Sequence, residues 1–320
     1  GYVLAITVYI FNGFKYHPMV RSAVVASMFG YALGGFSVMV DIGRYWNAYA
    51  FFIPSRWQPN SVMFEVALCI MAYCTVLIIE FLPAVLEKIN EMNWGWLTRL
   101  SKWIAPKLDK ILFLFIALGV TLPTMHQSSL GSMFIITVQQ LPGLWQTNFL
   151  PLLFITNAIM MGFSIVMFES GLSATGFKRK FEYEVLDFTK LIAYVGIAWL
   201  IIRFGSLALR GNLGLIFTSG FHSVMFWCEI LLILSGVIIM FKGPGPRKAF
   251  YAAMALCIGG GWYRMNVYLM GFDPGPEWNA YFPSFWEFWV TFGLIALEIL
   301  GYIVLCKLLK ILPKEHGAHK

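Results

Sequence analysis

The sequence predicts an all-α, polytopic membrane protein, and three observations carry that reading. Of its 320 residues, 59% are hydrophobic and only 12% charged, a balance that cannot cover a water-soluble surface. Eight apolar runs, near 20–41, 61–86, 110–125, 149–171, 187–209, 221–241, 248–271 and 284–311, reach or approach the roughly 20 residues that a helix needs to cross hydrocarbon. The cations between them are unevenly shared. With connections assigned alternately to two sides, seventeen of the 23 Lys and Arg fall on one side, and only Arg44, Arg56 and Arg210 on the other. The positive-inside rule then places the C-terminus in the cytoplasm.

Ahead of the eight runs, Tyr2–Phe11 is apolar but half a span long. It reads as a helix cut in the middle, with an upstream segment missing: about nine helices in this chain and ten in the full protein. It lacks the charged region and cleavage site of a signal peptide. On the cytoplasmic side, Trp94–Lys110 sets Trp96, Leu97, Leu100, Trp103 and Ile104 at helical spacing beside basic residues, which predicts an interfacial helix on anionic membrane lipid. The outer loops 41–60, 124–148 and 271–284 are aromatic and nearly uncharged, which predicts a surface facing lipid headgroups or a partner protein.

Composition also excludes function classes. The net charge of +7 comes from cations scattered among apolar spans, so no basic stripe exists for nucleic acid. Cys69, Cys74, Cys228, Cys257 and Cys306 all lie in apolar runs without C-x-x-C spacing, so no zinc or iron–sulfur ligand set is expected in this chain.

Ser61-Val62-Met63-Phe64-Glu65 opens one span and Ser223-Val224-Met225-Phe226, followed by Glu229, opens another in the same direction. That repeat predicts two parallel four-helix bundles plus flanking helices. The expected organisation is 1–126 as the first bundle, 127–148 as an outer loop, 149–271 as the second bundle, and 272–320 as the last membrane helix and tail.

Ionisable groups inside spans are costly and are functional suspects by default. Asp41, Arg44, Glu65 and His126 are expected at one level near the outer face, and Arg203, His222, Glu229 and Arg264 form a second cluster at similar depth. Salt bridges that only fix packing are the other reading, and the stronger one for the second cluster. At about 100° per residue, Glu65, Cys69, Tyr73 and Glu80 share one helix face, interrupted at Val76. This broken polar stripe is a possible proton path, with water crossing the gap, or a set of helix–helix hydrogen bonds. A shorter stripe runs through Glu287, Thr291, Glu298 and Tyr302. Ala26, Gly30 and Gly34 form a close-packing face.

A haem-bearing bundle needs facing histidine pairs, but His17, His126, His222, His316 and His319 all fall in loops, helix ends or the tail. No haem is therefore expected. An acid, a base and aromatic groups at the outer membrane surface suit a lipid-soluble quinone, whose carbonyls would take hydrogen bonds from His126, Glu65 and Asp41.

The words Tyr16-His17-Pro18, Asp41-Ile42-Gly43-Arg44-Tyr45-Trp46-Asn47, Ser61–Glu65, Leu122–Ser132 and Ser223–Trp227 resemble the NrfD/PsrC family of membrane subunits, in particular the HybB-type subunits of hydrogenase-2-type NiFe hydrogenases. The resemblance implies ten helices with two four-helix bundles at the core, and no haem. It also implies a bacterial inner-membrane location and periplasmic partners: an iron–sulfur subunit, then the hydrogenase small and large subunits. The expected function is reduction of menaquinone or ubiquinone with electrons from H₂. The alternatives are the membrane anchor of another periplasmic reductase, of polysulfide or nitrite type, and a secondary transporter or proton channel.

Overall fold

The computed structural model describes residues 1–11, 13–136, 141–272 and 281–312, and the side chains of all of these except Ile10 and Phe14. The chain is an all-α polytopic membrane protein, with no strand among the described residues. Its α-helices are α1 (Tyr2–Ala5, continued by a π turn Ile6–Ile10), α2 (His17–Asp41), α3 (Val62–Met92), α4 (Gly95–Ile136), α5 (Leu150–Gly176), α6 (Phe188–Leu209), α7 (Leu215–Thr218), α8 (Phe221–Phe241), α9 (Pro246–Met265, continued by a π turn Asn266–Met270) and α10 (Phe285–Leu308). Each of the eight apolar runs falls on one of these helices.

Among the described residues, seven helices are long and apolar enough to cross a membrane: α2, α3, α4, α5, α6 with its preceding turn, α8 and α10. Helix α9 is not among them, because it opens on Pro246-Arg247-Lys248 and carries three consecutive glycines and Arg264. Its polar content belongs to the chemistry below.

Helix α4 departs most from the sequence expectation. The segment 94–110 is not a separate interfacial helix, and the helix does not stop at His126. One helix runs 42 residues through Pro106 and Pro123, roughly 63 Å at 1.5 Å per residue and about twice the hydrocarbon thickness. Its first turns extend a hairpin with α3: the Thr98 hydroxyl donates to Ile89 O at 3.3 Å and the Ser101 hydroxyl to Leu86 O at 3.2 Å. The turn between them holds Asn93 at φ 53° and Gly95 at φ 40°. Beyond His126, nothing in Gln127–Ser132 interrupts the helical backbone. The Thr124 and Ser132 hydroxyls bond back to Val120 O and Ser128 O, at 2.9 and 3.0 Å.

Contacts divide the chain into two units: unit 1, Gly1–His126 with Ser284–Lys320, and unit 2, Gln127–Pro283. In unit 1, α2 packs on α3 and on α10. The α2–α10 contact is close because glycines face it: a Cβ on Gly30 would lie 3.3 Å from Glu298 Oε1, and one on Gly301 would strike the Phe29 ring at 2.6 Å. The small-residue face of α2 thus accepts the carboxylate stripe of α10, on which the Thr291 hydroxyl donates to Glu287 O at 3.0 Å. In unit 2, α8 packs on α9 and α6, and α5 on α9 and α6. Glycines again set the spacing, Gly196 against Val237, Gly236 against Leu256, and Gly260 against Met161.

Candidate functional site

In unit 1, three helices bring one aromatic group together. Ser61 caps α3, accepting from the Phe64 N–H at 3.4 Å, and so fixes the start of the helix that carries Glu65, Cys69, Tyr73 and Glu80. Two turns beyond half-buried Glu65, Tyr73 is only 2% exposed. The Tyr31 ring of α2 stands edge-on to it at 4.6 Å. On its other side Tyr31 meets the His126 imidazole of α4, with ring centres 6.0 Å apart. His126 is buried, ten residues before the end of α4. It therefore lies inside the helix pack and not at a helix end, because α4 continues where the sequence suggested a stop.

Asp41 and Arg44 stand exposed beyond this group. Asp41 ends α2, and Gly43, at φ 75°, turns the chain toward Arg44 and a 3₁₀ segment, Tyr45–Phe52. Along α2 the ten residues from Tyr31 to Asp41 rise roughly 15 Å. The pattern singled out the ionisable groups and missed Tyr31, which links Tyr73 to His126. A tyrosine in an apolar span carries no sequence signal unless the facing helix is known.

The gap in the α3 stripe is packed with apolar side chains. Val76 and Leu77 are buried in one cluster with Val24 and Tyr73, and Val20, Phe81, Phe115 and Leu122 pack against it. Cys69 is buried as well. Glu80 lies beyond this plug, and its Oε1 is enclosed without a hydrogen-bond partner.

In unit 2 the four ionisable residues separate into three arrangements. Arg203 donates from Nε and Nη2 to Glu229 Oε1 at 3.0 and 2.9 Å, and from Nη1 to Leu144 O at 2.6 Å. Glu229 Oε2 accepts from Trp145 Nε1 at 3.0 Å and from Asn266 Nδ2 at 2.6 Å. Arg264 instead reaches Gln127 Oε1 at 2.6 Å and Asn157 Oδ1 at 3.2 Å. His222 Nε2 lies 3.2 Å from Met270 O, and its ring is edge-on to Trp145. A buried carboxylate with one guanidinium and two neutral donors is chemically closed, so Glu229 has no free lone pair aimed at a substrate. Gln127, Trp145, Asn157 and Asn266 are neutral partners that charge-based reading of the sequence did not find.

The same network overturns one expectation for the outer loops. Trp145 is fully buried and does not face a partner. Its loop is fastened to the helix ends, with Arg210 and Asn212 donating to Gly143 O at 2.9 and 3.2 Å. Burial and then the nearby Arg203 charge push the Arg210 guanidinium below its ordinary value. In unit 1, by contrast, Tyr45, Trp46, Tyr49 and Phe52 are exposed. The parts of the loops at 137–140 and 273–280 lie outside the described residues.

Among the described residues, no group of three or more His, Cys, Asp and Glu could hold a metal ion. Two relatives have instructive names. The chain is 40% identical, over 331 aligned residues covering all of it and 82% of the relative, to the probable Ni/Fe-hydrogenase 2 b-type cytochrome subunit of Escherichia coli K12. It is 27% identical, over 96% of its length and 78% of the relative, to the menaquinone reductase integral membrane subunit of Nitratidesulfovibrio vulgaris. The first name raises haem, but the described histidines do not fit it. In unit 1, His17 and His126 sit at separate places, the first exposed at the start of α2 and the second against Tyr31, roughly 20 Å further along that helix. In unit 2, His222 has no histidine partner and faces a backbone carbonyl, while His316 and His319 lie outside the described residues. Among the described histidines, no axial pair forms within either unit. The profile described as "Polysulphide reductase, NrfD" matches residues 1–267, and with most of its length covered the chain belongs to the NrfD family.

Proposed function

We propose that this chain is the quinone-reactive membrane subunit of a respiratory H₂:quinone oxidoreductase. The observation that carries the reading is the Tyr31–Tyr73–His126 group in unit 1, with Tyr73 and His126 buried and Glu65 two turns away on α3, taken with the 40% identity to a hydrogenase 2 membrane subunit. An aromatic floor holds a planar headgroup, and an imidazole and a carboxyl can exchange protons with its two oxygens. Electrons enter from an iron–sulfur subunit on the outer face, which is itself joined to the hydrogenase small and large subunits. A menaquinone or ubiquinone takes them near Glu65 and His126, with Asp41 and Arg44 at the rim. No haem or metal of this chain takes part. The exposed aromatic segment Tyr45–Phe52 is the docking face for that partner. The protein resides in a bacterial inner membrane with its C-terminus in the cytoplasm, where seventeen of its cations would gather.

The relative named as a menaquinone reductase subunit supports a second reading, with the same quinone chemistry joined to a different periplasmic enzyme. The test for both is Glu65→Gln and His126→Ala in the assembled complex. Quinone-linked turnover should fall at least tenfold while H₂-dependent reduction of an artificial dye persists. Wild-type quinone turnover in both variants rejects the site, and co-purification with a partner that lacks hydrogenase activity selects the second reading.

A further inference from the structure

Between α1, α2, α3 and α4 at the His17 end of unit 1 lies a cavity of about 140 Å³. Tyr9, His17, Arg21, Glu80, Ala84 and Leu112 are among its walls. An apolar cavity of about this size stays dry. This one differs in carrying a phenol, an imidazole, a guanidinium and a carboxyl. Arg21 is already engaged, donating to Glu87 Oε2 at 2.8 Å. Glu80 Oε1 is enclosed with no hydrogen-bond partner among the protein's own groups. The carboxyl is accommodated because residue 119 is glycine: a Cβ there would lie 2.6 Å from Glu80 Oε1. On the Tyr73 side, Glu80 meets the packed side chains of Val24, Val76 and Leu77, sealed by Phe81, Phe115 and Leu122.

We propose that this cavity is a one-sided chamber: a site for water, or for a compact uncharged molecule that displaces it, which opens at the His17 end, presents Glu80 as its exchangeable group, and ends at the Val76–Leu77 plug. A buried carboxyl oxygen left without a donor is destabilising, and a water needs two or more polar partners. The chamber supplies both the unmet group and further polar partners. Glu80 therefore exchanges its proton with the His17 side and not with the Tyr73 group. The four polar residues named do not form a continuous polar stripe with Cys69 and Tyr73, because the plug stands between. This inference does not rest on quinone chemistry in the aromatic group.

Carbodiimides test it. The carboxyl O–H adds across one C=N bond of the reagent, the oxygen bonding to carbon and the proton passing to nitrogen, with nothing leaving. The intact complex is treated with diisopropylcarbodiimide and the adducts are located by peptide mass spectrometry. Glu80 should be labelled at least fivefold more than Glu229. Filling the chamber, by Leu112→Trp or independently by Ala84→Leu, should suppress the Glu80 adduct at least fivefold, with assembly checked by co-purification of the complex. In oriented vesicles a membrane-impermeant cationic carbodiimide should label Glu80 only from the side bearing Arg21 and Glu87. No adduct at Glu80, equal labelling in a filled variant that assembles, or labelling from the opposite side overturns the chamber. Loss of quinone turnover without any change in labelling would bear on the quinone site alone.

Discussion

Arg203 and Glu229 meet inside unit 2 with both side chains fully buried, two guanidinium nitrogens converging on one carboxylate oxygen at 3.0 and 2.9 Å. The other carboxylate oxygen is occupied by Trp145 and Asn266. The pair, with its neutral partners, holds α6, α8, the turn after α9 and the 141–149 loop to one another.

Removing one member of that pair leaves the other charge uncompensated in an apolar surrounding. Glu229→Gln should destabilise the protein by about 3–5 kcal/mol, whereas Arg203→Met with Glu229→Leu should cost less than the single change. Thermal unfolding in detergent, arranged as a double-mutant cycle, checks this. Equal stability of Glu229→Gln and the parent would remove the pair from its structural role.

The Trp145 indole donates to a charged acceptor, a bond of about 1.5–3 kcal/mol. Trp145→Phe keeps the ring and loses the donor, so it should destabilise by that amount and increase proteolysis within 141–149. Phe282→Lys and Trp46→Lys, at exposed positions, should cost no more than the roughly 0.5–1.5 kcal/mol of one aromatic pair and should release the proposed iron–sulfur partner on chromatography. A complex that survives both surface changes would assign those residues to lipid.

Tyr31 supports His126 and Tyr73 through its ring. Tyr31→Phe should retain quinone turnover within about threefold, and Tyr31→Ala should lose most of it together with the roughly 0.5–1.5 kcal/mol that each aromatic pair contributes. Quinone kinetics beside dye kinetics separate the two effects. Full turnover in Tyr31→Ala would detach the aromatic group from the quinone.

Gly131 lets α4 approach α5, since a Cβ there would lie 2.6 Å from Pro151 Cα. The obstacle is backbone, which cannot rotate aside, so Gly131→Ala should cost about 1–3 kcal/mol. An unfolding midpoint equal to the parent's would show that the helices can separate freely.

Membrane class, helix positions and the identity of the ionisable residues were legible in the sequence, because each depends on local quantities: the length of an apolar run, the count of cations in a loop, the spacing of polar groups on one helix. Helix ends were less legible. At His126 the Pro, Ser and Gly nearby read as a stop, but buried backbone in an apolar medium must be satisfied internally, so the helix continues to Ile136 and its hydroxyls turn inward. What only the tertiary structure decided is partnership. Trp145 and Glu229 are 84 residues apart, and Arg264 and Gln127 are 137 apart. No periodicity relates such positions, because a hydrogen bond depends on which helix faces meet at a distance of about 3 Å. For the same reason the α3 stripe looked continuous except at Val76, while the facing helices closed that gap with apolar side chains and left Glu80 on a cavity shared with Tyr9, His17 and Arg21.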